Sequence, residues 1–344
     1  MIKITLIKSL RLVLSPFSLI YALVLSIRNK LFDLNILKHT SFDVPVIAVG
    51  NLSLGGTGKT PQIEYLIRLL QEDYTIAILS RGYKRKSEGF VIAGKETTVE
   101  EIGDEPFQFF KKFQKIAVAV DSNRTNGIKE LLKRDPLINL ILLDDAYQHR
   151  KVKANFYTLL TAYDNRYTND FVLPLGDLRE SRSGAKRANT IVVTKCPFNL
   201  TKKERIDIIK EIDPRKYQQV FFSSIAYDTT IHSSKSSLEL KTLVNYEIVL
   251  ITGIAKPKQL VDYLIEQKIK FNHLDFPDHH TFNSLDIENI NQTFDKIKNN
   301  KKLILTTEKD FTKLSNSIEG IYSLGIRTSI TDSEKFDSFV KKGI

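Results

Sequence analysis

The chain has 344 residues, 51 Lys and Arg against 40 Asp and Glu, a formal charge of +11, one Cys, one Met and no Trp. That length exceeds one ordinary domain and suits two, and a hydrophobic fraction of 42% excludes a disordered polymer. The lone Cys196 excludes an intramolecular disulfide framework and a Cys-rich zinc site, and the basic excess implies an anionic partner: nucleic acid, a membrane surface or a phosphorylated substrate.

Residues 1–40 carry Lys3, Lys8, Arg11, Arg28, Lys30 and Lys38 against Asp33 alone. Between Arg11 and Arg28 the run Leu12–Ile27 is uncharged for 16 residues, short of the roughly 18–20 that a spanning helix needs. Ile4–Phe32 therefore reads as helical pieces, bent or broken at Pro16, lying in a membrane interface between basic flanks. No small-x-small cleavage site follows, which argues against a secretory signal.

Val44–Val49 is a short buried strand, Gly50–Lys59 a glycine-rich turn and Thr60–Leu70 a helix with Ile63, Leu66, Ile67 and Leu70 on one face. Strands follow at Thr75–Leu79, Lys115–Val120, Asn139–Leu143 and Thr190–Thr194, separated by helical stretches. The alternation predicts a mainly parallel, three-layer α/β sheet. Near Ser223–Ser237 the chain becomes Ser/Thr-rich, which marks a linker or strand crossover. A second α/β pattern comprises strand Glu247–Thr252, helix Pro257–Gln267, strand Phe271–Leu274, a helix near Leu285–Lys298 and strand Lys302–Thr306. The expected boundaries are 1–40 for the membrane-associating segment, 41–222 for a nucleotide-binding domain, 223–240 for a linker and 241–344 for a smaller C-terminal α/β domain.

Gly55-Gly56-Thr57-Gly58-Lys59-Thr60 lies between a strand and a helix. Glycines there let backbone N–H groups curl around phosphate oxygens, and the helix start adds favourable partial charge. Lys59 is expected on the β- and γ-phosphates and Thr60 on Mg²⁺. Ser53 stands where the usual pattern has its first glycine, and Gly55 and Gly56 supply the missing freedom. The apolar strand ending in Asp144-Asp145 is where a Mg²⁺-organising carboxylate sits in such enzymes. Successive strand residues point to opposite faces, so Asp144 is assigned to the metal and Asp145 to orienting a neighbour, with His149 as the candidate. Thr194-Lys195-Cys196-Pro197 fails the last position of a guanine-recognition motif, which favours ATP over GTP.

Further polar clusters occupy expected loops. In order along the chain, Val49-Gly50-Asn51, the glycine-rich loop through Pro61, Ser80-Arg81-Gly82-Tyr83, Gly103-Asp104-Glu105-Pro106, Asp144-Asp145 with Gln148-His149, Leu173-Pro174 with Leu178-Arg179-Glu180, Thr252-Gly253-Ile254-Ala255, Asp278-His279 and Thr307-Glu308-Lys309-Asp310 resemble the tetraacyldisaccharide 4′-kinase (lipid A 4′-kinase) family. The resemblance runs from about residue 43 to about residue 314, and Ala146-Tyr147 departs from the Gly and Leu or Phe of many members.

The resemblance implies a phosphate-loop ATP-binding domain, a smaller C-terminal α/β domain and a cleft between them. It implies a membrane-associated enzyme of lipopolysaccharide synthesis that uses ATP and Mg²⁺. The γ-phosphoryl group would pass to the 4′-hydroxyl of an acylated disaccharide phosphate lipid. By motif, Asp104 becomes the base for the sugar hydroxyl, His279 its partner from the other domain, and Glu180 and Asp144 organise Mg²⁺ with Thr60. Arg81, Tyr83 and Arg124 are further candidates for contact with sugar or phosphate. The expected location is the cytoplasmic face of the bacterial inner membrane, peripheral or monotopic.

Two other classes compete. A membrane-bound switch ATPase of the partition or septum-placement type shares the Gly-Gly-x-Gly-Lys-Thr loop, but Leu54 stands where its signature lysine belongs. A nucleic-acid binder rests on charge alone, without any finger, RNA-recognition or basic-zipper motif, and no nucleic-acid partner is expected. The sequence names no protein partner.

Overall fold

The computed structural model describes residues 14–278 and 280–344. The helical piece expected before Pro16 falls largely outside the described residues, and so does His279. The first described element is helix α1 (Ser15–Asp33), with Pro16 in its first turn. Proline lacks only an N–H that would be unpartnered there, so Pro16 opens this helix instead of bending it.

The first lobe is built from β1 (Val46–Asn51), α2 (Lys59–Leu70), β2 (Ile76–Ser80), β3 (Val91–Ile92), α3 (Val99–Ile102), α4 (Asp104–Lys112), β4 (Ala117–Val120), α5 (Arg124–Arg134), β5 (Leu140–Leu143), β6 (Phe156–Ala162), β7 (Thr190–Thr194) and α6 (Lys202–Ile212). Next come β8 (Gln219–His232), β9 (Ser237–Glu239), β10 (Glu247–Thr252), α7 (Lys258–Glu266), β11 (Lys270–Asp275), α8 (Ser284–Asp295), β12 (Lys302–Thr307), α9 (Glu308–Leu314), β13 (Ile321–Ile330) and α10 (Ser333–Lys342).

The strands run β11-β10-β12-β13-β8-β7-β6-β1-β5-β2-β4-β3, with β9 on the side of β8. Pairing is parallel within each lobe, apart from short β3 and β9, and antiparallel where β13 meets β8. This is the expected three-layer α/β arrangement. Alternation along β1 sends Ile47 and Val49 to a core under α2, and Val46 and Ala48 to a core under α5. Alternation along β10 does the same for Val249 and Ile251 against Ile248 and Leu250.

Two expected boundaries change. Residues 223–240 are not a linker, because β8 runs unbroken across the junction. Its Gln219–Phe222 stretch pairs with β7 and its Ser223–His232 stretch with β13. Polar Ser and Thr are tolerated there because this ribbon is only partly covered. The C-terminal segment also does not belong wholly to the second lobe. After β13 the chain returns and α10 buries Phe336 and Val340 in the core under α2. Phe336 meets Phe221 edge-on at 5.1 Å and Tyr65 at 5.6 Å, and the Tyr65 hydroxyl donates to Asp337 at 2.7 Å.

Truncating Phe336 removes a fully buried ring from a shared core. Phe336→Ala is expected to cost about 3–5 kcal/mol, read as a lowered urea midpoint that ATP-site fluorescence and far-UV signals report together. A loss confined to the second lobe would contradict this packing.

Candidate active site

The phosphate loop begins where β1 ends. Asn51 Nδ2 donates to Thr57 Oγ1 at 2.8 Å and to the Gly55 carbonyl at 3.3 Å, holding the loop closed on itself. Leu52 and Leu54 exchange backbone hydrogen bonds with Arg179 and Asp177, so the Leu178-Arg179-Glu180 motif runs alongside the loop. Gly58 sits at the start of α2 with φ +82°, a conformation that a side chain disfavours. The helix start then presents Lys59 and Thr60.

Beside this loop β5 delivers its two acids. Asp144 is buried, with Ser80 Oγ donating to its Oδ2 at 3.1 Å and no partner on Oδ1. Burial, reinforced by the neighbouring Asp145 charge and opposed by Lys59, pushes its pKa up to about 6. Asp145 turns the other way through a left-handed backbone (φ +46°). Lys59 lies 3.5 Å from it and Arg179 3.1 Å. Burial works against the Asp145 charge, but these two cations outweigh it and hold the carboxyl below its ordinary range. An orphaned, buried carboxylate oxygen within reach of the charge of Lys59 at the helix start fits a divalent cation shared with phosphate. Among the described residues no cluster of three His, Cys, Asp or Glu side chains could hold a metal by itself.

Other expected residues have different neighbours. His149 does not pair with Asp145, which is taken by Lys59 and Arg179. Burial, then Arg124 and Arg81, press its pKa down to about 4, so it is neutral at pH 7. Glu180 is buried, with Arg187 (2.8 Å) and Gln148 (3.1 Å) on one oxygen and Asn29 (2.8 Å) on the other. It ties α1 to the loop, since Gln148 also donates to the Asn51 carbonyl at 2.8 Å. These partners make Glu180 an anchor between α1, Gln148 and Arg187. Arg124, expected at the acceptor, is only 2% exposed and donates to the Asp121 carbonyl at 2.7 Å and more weakly to that of Asp144 at 3.5 Å. It braces the acidic strand end. Arg81 and Tyr83 are exposed on the turn after β2.

Asp104 opens α4 behind Gly103, whose φ of +89° brings it close to the Tyr83 carbonyl. Glu105 is near enough for its charge to act on Asp144, which puts the start of α4 at the edge of the acidic site. Lys313, from α9 of the second lobe, lies 3.0 Å from Asp104. Nearby, Lys309 donates to Asp278 at 3.0 Å, and Asp310 accepts from the Gly253 amide at 2.8 Å. The second-lobe motifs thus gather around strand ends that face the first lobe. Lys313 and Arg179 had no assigned role in the sequence. Arg179 lies inside the Leu178-Arg179-Glu180 motif, whereas Lys313 lies in a polar helix with no signal of its own.

The loop, the acidic strand end and the facing lobe define a phosphate-loop, nucleotide-dependent enzyme. The chain belongs to the tetraacyldisaccharide-1-P 4'-kinase family, whose model matches residues 10–344. It is 53% identical over 331 residues to a tetraacyldisaccharide 4'-kinase of Flavobacterium johnsoniae, covering 95% of each chain. It is 46% identical over 312 residues to one of Bacteroides thetaiotaomicron, covering 88% of this chain and 82% of that one. A crystal structure of LpxK from Aquifex aeolicus in complex with ATP superposes with a TM-score of 0.79 at 29% identity, covering 97% and 99% of the two chains.

The Asp144 carboxyl holds its proton more tightly in the folded protein (about 6) than at its ordinary value of 3.8. Its stabilising contribution is therefore full below the lower value and lost as pH rises through the higher one. With a chelator present, Asp144→Asn should stabilise the protein at pH 8 by on the order of 2 kcal/mol and leave it unchanged near pH 4. Melting curves across pH check this; an Asn effect of equal size at both ends would contradict the burial argument.

Proposed function

We propose that the protein transfers the γ-phosphoryl group of ATP to the 4′-hydroxyl of a tetraacyldisaccharide 1-phosphate, a step of lipid A biosynthesis. Family membership and the names of the relatives support the reaction, and the ATP complex of the Aquifex relative supports the donor. The observation that carries the chemistry is Asp104, a carboxylate at a helix start beside the phosphate site and paired with a second-lobe lysine.

Phosphoryl transfer needs in-line positioning and charge neutralisation. The loop amides and Lys59 hold the β- and γ-phosphates. Thr60 and Asp144 hold Mg²⁺, which supplies charge neutralisation at the transferring group. Asp145 keeps Lys59 and Arg179 in place. Asp104 accepts the hydroxyl proton, and Lys313 of the second lobe, 3.0 Å away, holds the carboxylate in position. His279, next to Asp278, is assigned by its motif as the group that tunes this base. Arg81 and Tyr83 stand on the acceptor side. Because Lys313 and the Asp278 segment belong to the second lobe, the base is complete only when the lobes meet, which restrains hydrolysis of ATP by water.

The acceptor carries acyl chains, so the enzyme works at a bilayer. Helix α1 exposes Phe17, Leu19, Ile20, Leu23, Val24 and Ile27 beside Lys30, the pattern of an interfacial helix. No described helix is long and apolar enough to cross a membrane, which is compatible with peripheral attachment. We assign it to the cytoplasmic face of the inner membrane, where ATP is available.

Asp104→Ala should lower turnover at least about a hundredfold with ATP affinity retained, measured as label passing from [γ-³²P]ATP to a detergent-dispersed disaccharide lipid. Near-normal turnover would remove Asp104 from the mechanism, and release of free phosphate alone would favour a switch ATPase. Replacing Leu19, Ile20 and Leu23 with Ser should move the protein from the membrane pellet to the supernatant on flotation; unchanged recovery would refute the interfacial role of α1.

A further inference from the structure

The lysine that ends α4 belongs to none of the sequence motifs, yet it touches both lobes. Asp104 opens α4 and Lys112 closes it, about 12 Å further along the axis at 1.5 Å per residue. In the second lobe Glu308 opens α9 and Lys313 lies in its last turn. Asp104 pairs with Lys313 at 3.0 Å, and Lys112 with Glu308 at 2.5 Å. The two helices therefore lie antiparallel with an ion pair at each end. Each carries its acid in the first turn and its lysine in the last, where the helix dipole favours them.

Lys112 also reaches a third helix. Its Nζ lies 2.8 Å from Glu64, on the helix α2 that begins with Lys59. Glu64 is buried and well supplied: Arg68 donates to it at 3.0 Å and Gln108 of α4 at 3.1 Å. Glu308 has less, since among the described residues Lys112 is the cation paired with it. The other charges facing Glu308 are acids, Glu64 from α2 and Asp228 from β8, and Asp228 is itself paired with Arg327 of β13. At Gly325, β13 passes so close that a side-chain carbon there would meet both Asp228 and Glu308. Burial, then the Glu64 charge, disfavour the ionised form of Glu308, and Lys112 opposes them. Without that ammonium two carboxylates would face each other where the lobes meet, and poorly solvated like charges do not both ionise without a large cost.

We propose that Lys112 is a positioning residue for phosphoryl transfer: by neutralising Glu64 and Glu308 together it draws α2, α4 and α9 to one point, and so sets Asp104 against both the phosphate loop and the second lobe. Lys112 touches neither substrate nor metal in this role; it acts through the helix that carries Asp104. The inference rests on the reading of Asp104 as the base that accepts the hydroxyl proton.

Label transfer from [γ-³²P]ATP to the disaccharide lipid by the full-length protein, followed from about pH 6 to about pH 9, tests this. Lys112→Met should lower kcat by about tenfold to a hundredfold, while ATP affinity, read by equilibrium binding, stays within about twofold of wild type. The loss should deepen as pH rises, because Glu308 can be neutral at the acid end and must ionise against Glu64 at the alkaline end. Combining Lys112→Met with Glu308→Gln should recover most of the activity and remove the added pH dependence, and Lys112→Arg should stay close to wild type. Lys112→Gln gives the same comparison if the Met variant folds poorly, judged by the nucleotide-free melting midpoint. An unchanged kcat, a loss of the same size at every pH, or a double variant no better than the single would overturn the proposal alone. A wild type that transfers no label would overturn the kinase reading itself, and the role of Lys112 with it.

Discussion

Lys59 stands between two acids with opposite needs. Asp145 is held charged by Lys59 and Arg179, while Asp144, one residue earlier and deeper, resists ionisation because water cannot reach it. Two adjacent carboxylates cannot both be charged in a low-dielectric setting without cations on each. The protein supplies cations for one and leaves an oxygen of the other unpartnered. Everything around the site serves that imbalance: Arg124 braces the strand end, Ser80 fixes one Asp144 oxygen, and the left-handed turn at Asp145 aims the second acid away from the first. A divalent cation arriving with the nucleotide would resolve it.

The two lobes are joined by a continuous sheet, yet they face each other across charged side chains. Lys112 of α4 lies 2.8 Å from Glu64 in its own lobe and 2.5 Å from Glu308 in the other. Burial, then the Glu64 charge, raise the pKa of Glu308, so Lys112 is the cation that makes this acid tolerable at the junction. Together with Lys313 on Asp104, it makes the approach of the lobes an electrostatic match on either side of α4. The β8–β13 ribbon provides the mechanical link, with an irregular register between Leu324 and Ile326.

Much of this was legible in the sequence. Strong apolar runs bounded by turns located β1, β5, β7 and β10 to within two residues, because buried parallel strands have few other compositions. The phosphate loop was legible from Gly58-Lys59-Thr60 set between a strand and a helix, despite Ser53 at the usual first glycine. β8 was not, since a half-covered ribbon carries Ser and Thr that read as linker. The return of α10 to the first lobe was not either, because its apolar face says that it packs somewhere and not where. Among candidate site residues, local chemistry singles out Asp144 and Lys59, whereas the partners of Glu180 and Arg124 depend on distant segments. The pairing of Asp104 with Lys313 spans more than two hundred residues, a distance over which one sequence carries no pairing information.

The path of the chain into α10 has a consequence for how the protein is made. Residues 333–342 leave the ribosome after the whole second lobe, yet Phe336 and Val340 fill the core beneath the helix that begins with Lys59. The second lobe can close on material already synthesised, while the ATP-binding lobe waits for it. Until α10 is in place, the rings of Phe156 and Phe221 lack the Phe339 and Phe336 partners that cover them in the folded core.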